Sequence, residues 1–202
     1  MKERGMIFNG EMVRAILDGR KTQTRRPIKW KQTRFTEIGE REDGSKWPWS
    51  EDAEHACDFW HPCPFGAVGD RIWVRETWAR YNIDQNSHDI AYRATTPADW
   101  PEEGRWRPSI HMPRWASRIL LEITNVRVER LNSMHDVDAM REGIQNLTTC
   151  SHSDFGIPGV VNAQLPVRAF QLLWESIYGT DSWHANPWVW VIEFKRVEGG
   201  AA

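Results

Sequence analysis

A helix that is stopped and then barred from restarting constrains this chain more than any other feature. From Glu11, the residues Met12, Ile16 and Leu17 recur on one helical face, with Val13 and Ala15 beside them. Gly19 suits the left-handed position that ends many helices. Pro27 forbids helical continuation and biases Arg26 toward an extended backbone. The intervening Arg20-Lys21-Thr22-Gln23-Thr24-Arg25-Arg26 is therefore a short extended segment behind an apolar helix. Between Arg14 and Arg34 there are eight Lys or Arg and a single acid, Asp18. Such a loop suits an anion or a nucleotide.

The rest of the chain alternates short strands with a few helices. Met6-Ile7-Phe8 is a short strand candidate. Residues 36–62 are acidic and broken by Gly44, Pro48 and Pro62, and read as a long loop or insertion able to fold over the cationic segment by charge complementarity. Gly69-Asp70 is a turn signal before the period-two run Arg71 to Trp78, in which Ile72, Val74 and Glu76 face one way. Ile90 to Arg93 is a further short strand. Residues 95–115 are rich in Trp, Pro and Arg and read as a loop. Arg118 to Leu131 predicts a long strand bulged near Asn125. Ser133 to Ile144 predicts a helix capped by Ser133, with Met134, Val137 and Met140 on one face and Gly143 ending it. A polar loop over 145–164, a helix over Pro166 to Tyr178 and a hydrophobic central strand over Pro187 to Phe194 complete the chain. The expected class is α+β, a small mixed β-barrel with flanking helices and long loop insertions in one domain over 1–202.

Charge and composition narrow the chemistry. The net charge of −2 excludes a general polyanion binder, so any nucleic-acid contact must be local. Thirteen tryptophans are many for 202 residues. Most are expected in cores and loop braces, and some can stack on bases. Three cysteines give no disulfide framework, and no leader or long apolar run is visible, so the expected setting is a reducing cytoplasm without a membrane. No P-loop, dinucleotide fingerprint or Ser-His-Asp elbow occurs.

Three further constellations stay open in meaning. Glu76, among Trp73, Arg75 and Trp78, is either a carboxylate that reads an exocyclic amine or the partner of Arg75 or Arg118. His55, Cys57, His61 and Cys63 are zinc-type ligands, but their spacing is not that of a familiar module, and no cofactor is expected unless that loop turns back on itself. Cys150 and His152 are a thinner pair of the same kind. Arg105-Trp106-Arg107, His111 and Arg114-Trp115 read either as a single-strand binding edge or as rings packed under arginine stems.

The segment Gly19-Arg20-Lys21-Thr22-Gln23-Thr24-Arg25-Arg26 behind its helix resembles the signature of the ASCH family, a branch of the PUA-like superfamily. Gly69-Asp70 before a strand, the helix with Asp138-Ala139-Met140-Arg141-Glu142-Gly143, and the terminal Trp190-Val191-Ile192-Glu193-Phe194 are similar to the family's other landmarks and keep its order. The chain looks like a longer, phage- or prophage-type member, with insertions at 36–62, 95–115 and 145–164. The resemblance implies a PUA-like barrel of roughly five or six strands. It also implies a cleft for RNA, single-stranded nucleic acid or a modified pyrimidine nucleoside. The smallest members it resembles are amidohydrolases that deacetylate N4-acetylcytidine. Their catalytic lysine, threonine and glutamate fall on Lys21, Thr24 and Glu142. Arg20, Thr22, Arg25 and Arg26, with Arg75, Glu76 and Trp78, are the expected binding residues.

Chemically, Thr24 needs a base, and Lys21 serves only if its pKa falls well below about 10.4. Burial and the neighbouring arginines act in that direction. A separation of three along a strand puts Lys21 and Thr24 on opposite faces, so a turn at Thr22-Gln23 is required. Arg25 or Arg26 can hold an oxyanion. The alternatives are a reader without catalysis and a ribonuclease in which Lys21 and Arg26 stabilise a phosphorane.

Overall fold

The computed structural model describes residues 1–29, 36–52, 57–81, 89–101, 104–149 and 152–197. In chain order the elements are β1 (Glu3–Ile7), α1 (Gly10–Leu17), β2 (Gln23–Pro27), β3 (Thr36–Glu40), β4 (Lys46–Asp52), β5 (Cys57–Trp60), β6 (Arg71–Arg75), β7 (Trp78–Tyr81) and β8 (Asp89–Tyr92). There follow β9 (Leu120–Arg130), α2 (Asp136–Arg141), β10 (Gln145–Asn146), β11 (Phe155–Ile157), β12 (Val161–Ala163), α3 (Pro166–Tyr178) and β13 (Trp188–Arg196). The protein is a mixed α+β structure.

The principal sheet has the order β1-β6-β9-β13-β2. Only the β1–β6 pair is parallel. Val189 to Ile192 are all buried because β13 is covered on both faces. Trp190, Ile192 and Phe194 join one core with Met6 and Phe8, α1 residues Val13 and Ile16, and Ile72, Val74, Leu121 and Ile123. Val189 and Val191 join a second core with Ala139 of α2 and Phe170, Leu173 and Trp174 of α3. A strand buried on both faces reads as a continuous apolar run, which is what Trp188 to Ile192 is. Strand β9 carries the expected bulge: Asn125 pairs with Glu193 and Ile123 with Phe194, so Thr124 is the extra residue. The edges β1 and β2 share no ladder. An Arg26 guanidinium N–H donates to the Ile7 carbonyl at 2.8 Å, and its carbon lies 5.3 Å from the Phe8 ring centre.

Two stretches expected as loops are sheets. Residues 36–60 contain the antiparallel meander β3-β4-β5, and β10-β11-β12 form another. The first packs Ile38 and Trp47 on the core beside Trp190, with the Trp47 and Trp190 ring centres 5.1 Å apart. Among the described residues, none of its carboxylates pairs with the Lys21–Arg26 segment, so the expected complementarity is met elsewhere. Helix α2 starts later than expected. His135, not Ser133, precedes its first turn, and the His135 amide donates to Asp138 at 3.1 Å. Val137 is 61% exposed rather than core-facing. Among the described residues no helix is long and apolar enough to cross a membrane.

Candidate functional site

Backbone bonds bring the cationic segment to the end of α2. Gly19 has φ +74°, closing α1 as expected. The Arg20 and Lys21 amides then donate to the Ala15 carbonyl, both at 2.9 Å. The Thr22 amide donates to the Arg141 carbonyl at 2.9 Å. Thr22 in turn accepts from the Phe194 amide at 2.9 Å, which prolongs the β13 ladder. The backbone is thus already extended at Thr22, and the turn required at Thr22-Gln23 is absent.

Lys21 and Glu142 meet although they are 121 positions apart in the chain. The Lys21 Nζ donates to Glu142 Oε2 at 2.8 Å and to the Glu142 carbonyl at 2.9 Å, with both side chains at or below 3% exposure. Gly143 permits this approach. Its φ is +108°, and a Cβ there would lie 3.1 Å from the Ala15 Cβ and 3.6 Å from the Lys21 Cβ. Gly143→Ala is expected to cost about 1–3 kcal/mol through backbone strain and crowding, lowering Tm by roughly 2–12 °C; calorimetry checks it. Burial pushes the Lys21 amine below its ordinary 10.5; Glu142 opposes this, and the charges of Arg26 and then Arg25 add to the lowering.

Arg25 is the hub of the site rather than a free anion clamp. Its guanidinium meets Glu142 Oε1 at 3.3 Å, Glu129 Oε2 at 3.2 Å and Asp138 Oδ2 at 3.4 Å. Buried Gln23 donates to Asp138 at 3.4 Å and accepts from Arg127 at 3.3 Å. Arg127 also pairs with Glu129 and Glu193. Partial burial pushes the Asp138 carboxyl up, but the His135 amide and the Arg25 charge outweigh it, and its pKa ends below the ordinary value.

Strand pairing decides which face each side chain takes. Directly opposed residues share a face. Arg25 pairs with Val191 and so faces the helices, whereas Thr24 pairs with Ile192 and faces the first core with Arg26. Thr24 is buried, and no hydrogen bond joins it to Lys21 or Glu142. Arg26 lies on Thr24's face, and among the described residues its buried Nε has no partner. Burial is the chief cause of the lowered Lys21 pKa, and the charges of Arg26 and Arg25, which lie on opposite faces of β2, add to it.

The other expected residues divide. Arg20 donates to the Gly143 carbonyl at 3.2 Å and pairs with Asp18 at 2.8 Å. Thr22 is exposed. Glu76 is buried and held by Arg118 at 2.9 and 3.0 Å, so the ion-pair reading describes it. Arg75 donates to the carbonyls of Ser109 and Ile110, away from Lys21. Trp78 is buried in a small separate core with Met112 and Ala116. Of the zinc-type residues, His55 and Cys150 lie outside the described residues, as does the side chain of Cys57. His61 Nε2 is 2.9 Å from Ser50 Oγ. Burial pushes the Cys63 thiol up to about 11, which disfavours the thiolate a metal needs. Among the described residues no three His, Cys, Asp or Glu cluster to hold a metal.

Sequence reasoning missed Glu129 and Asp138. Asp138 had a signal, since it lies one turn before Glu142 on the same helical face. Glu129 had none, because only the β9–β13–β2 order places it across from Arg25.

Four of the six described cations from Arg14 to Lys29 are paired with carboxylates: Arg14, Arg20, Lys21 and Arg25. The segment that reads as strongly positive in sequence is largely neutralised in space. A cavity of about 390 Å³ borders the site, lined by Arg14, Asp18, Arg20, Gly143 and Gln145 among others. No family model, curated protein or solved structure matches the chain.

Proposed function

We propose that this chain is an ASCH-type domain that hydrolyses the acyl amide of an N4-acylated cytidine or a closely similar modified pyrimidine nucleoside. The observation that carries the reading is the buried Lys21–Glu142 pair, formed by two of the three positions that the ASCH resemblance names. A lysine whose pKa is lowered by burial is a competent proton acceptor. The charge balance favours a neutral substrate, because a phosphodiester needs free cations and the segment's are mostly engaged. That weighs against the ribonuclease alternative. In this reading the principal sheet is the counterpart of the PUA-like barrel wall, left open between β1 and β2, where Arg26 reaches the Ile7 carbonyl.

In the reaction, neutral Lys21 Nζ takes the Thr24 hydroxyl proton as Oγ1 attacks the acyl carbon. Arg26, on Thr24's face with a buried unpartnered Nε, donates to the oxyanion; Arg25 is already held by three carboxylates. The C–N bond breaks, and the departing N4 takes the proton from Lys21 to leave as cytidine. Water then hydrolyses the acyl-threonine ester, releasing the carboxylate. Glu142 positions Lys21 throughout. Lys21 and Thr24 make no hydrogen bond here, and the turn that would join them is absent, so this reaction requires the start of β2 to rearrange at Thr22-Gln23 when substrate binds. The cavity beside Gly143 has the size of a small-molecule site. Lys21 is not among its lining residues, so the Arg20–Gly143 hydrogen bond must open for the amide to reach the amine.

The test is incubation of the wild-type protein with N4-acetylcytidine, following cytidine and acetate by chromatography. Equimolar release of both is expected. Absence of turnover with N4-acetyl, N4-propionyl and N4-benzoyl cytidine removes the amidohydrolase reading.

A further inference from the structure

Loop 104–116 does not drift over the surface; it is built onto the β7–β8 hairpin. Trp78 and Arg107 exchange both backbone hydrogen bonds, at 3.2 and 2.7 Å. The Tyr92 hydroxyl donates to the Ala116 carbonyl at 2.9 Å. Met112 and Ala116 are buried against Trp78 beneath the loop. On this anchored support stands Trp115, which is 59% exposed. Its ring stands edge-on to that of Trp78, with centres 5.7 Å apart. The Arg80 guanidinium lies 5.7 Å from the Trp115 ring centre, and Arg107 lies 5.3 Å from that of Trp78. Arg80, Arg105, Arg107 and His111 are all exposed. Among the described residues, no carboxylate pairs with Arg80, Arg105 or Arg107.

An anchored turn that displays a large aromatic ring leaves apolar area in water that a different residue would not. The exposed cations beside it suit an anionic partner. A flat ring for a base, flanked by guanidinium groups for phosphates, is the chemistry of single-stranded nucleic-acid binding. We propose that Trp115, Arg80 and Arg107 form a docking surface for single-stranded nucleic acid, with a base stacked on Trp115 and the adjoining phosphates on the two arginines. This surface is separate from the Lys21–Glu142 site and does not rest on the hydrolase reading.

The test is a fluorescence-anisotropy titration of the full chain with labelled oligouridylate and oligodeoxythymidylate of roughly 12 nucleotides, at several salt concentrations. Trp115→Ala is expected to weaken binding roughly tenfold. Arg80→Ser combined with Arg107→Ser is expected to weaken it and to reduce the slope of log K against log salt by about 1.4, two single-strand phosphate contacts' worth. Arg196→Ser, at the exposed end of β13, is the control and binds as wild type. These changes are at exposed positions, and circular dichroism confirms that the variants fold. No oligonucleotide binding by wild type, unchanged binding by Trp115→Ala, or tighter binding of polyglutamate than of either oligonucleotide overturns the proposal. Hydrolysis of free N4-acetylcytidine is measured on a mononucleoside, so the two readings fail independently.

Discussion

Glu142→Ala is expected to destabilise the protein by about 3–5 kcal/mol, because it strands a buried lysine and takes one of three carboxylates from Arg25. For a chain of this length that lowers Tm by roughly 6–20 °C, read by calorimetry. The pair itself is not a large net stabiliser. Two charges taken out of water recover their desolvation only through good geometry, so removing both together is much milder than removing one. The double variant Lys21→Met with Glu142→Leu is therefore expected to lie within about 2 kcal/mol of wild type. If the double variant is as unstable as Glu142→Ala alone, the buried-charge account is wrong and the loss comes from packing at Gly143.

Lys21→Met carries the largest expected functional effect. General base catalysis contributes roughly 10²–10⁴-fold, so kcat on N4-acetylcytidine should fall by about 10³-fold. Lys21→Arg should not restore it, since a guanidinium stays protonated at any working pH. In wild type, kcat/KM should rise with pH through the Lys21 pKa, with its inflection below 10.5. The same lowering has a stability consequence of definite sign. Between the folded value of Lys21 and 10.5, the unfolded chain holds more protons, so wild-type stability gains with rising pH across that window. The double variant, which lacks both charges, should lose that gain. A wild-type pH–rate profile that is flat up to pH about 10 would remove Lys21 as the base. Thr24→Ala separates the roles, because it should abolish turnover without disturbing the Lys21–Glu142 pair.

Local order was legible where local physics decides it. The end of α1 at Gly19, the alternation that buries Ile72, Val74 and Glu76, and the bulge near Asn125 all follow from backbone sterics and the strand period. So does the apolar run Trp188 to Ile192 of β13, which a strand covered on both faces carries. The meanders at 36–60 and 145–163 were not legible. Their strands are short, and Gly and Pro interrupt them, so each reads as a loop until its neighbours supply a ladder. Trp47 and Ile38 find their purpose only against Trp190 and the first core.

The candidate site divides along the same line. The Lys21–Arg26 segment, its extended backbone and its attachment to a preceding helix are properties of the sequence alone, because Gly19 and Pro27 act within a few bonds of it. What those cations do was decided by tertiary structure. Asp138, Glu142 and Glu129 come from more than a hundred residues away and turn a positive stretch into a nearly balanced buried cluster. Charge counted along a chain measures what is near in sequence. Electrostatic energy depends on what is near in space and on how much water has been removed, and only the packing of α2 and β9 against β2 sets either.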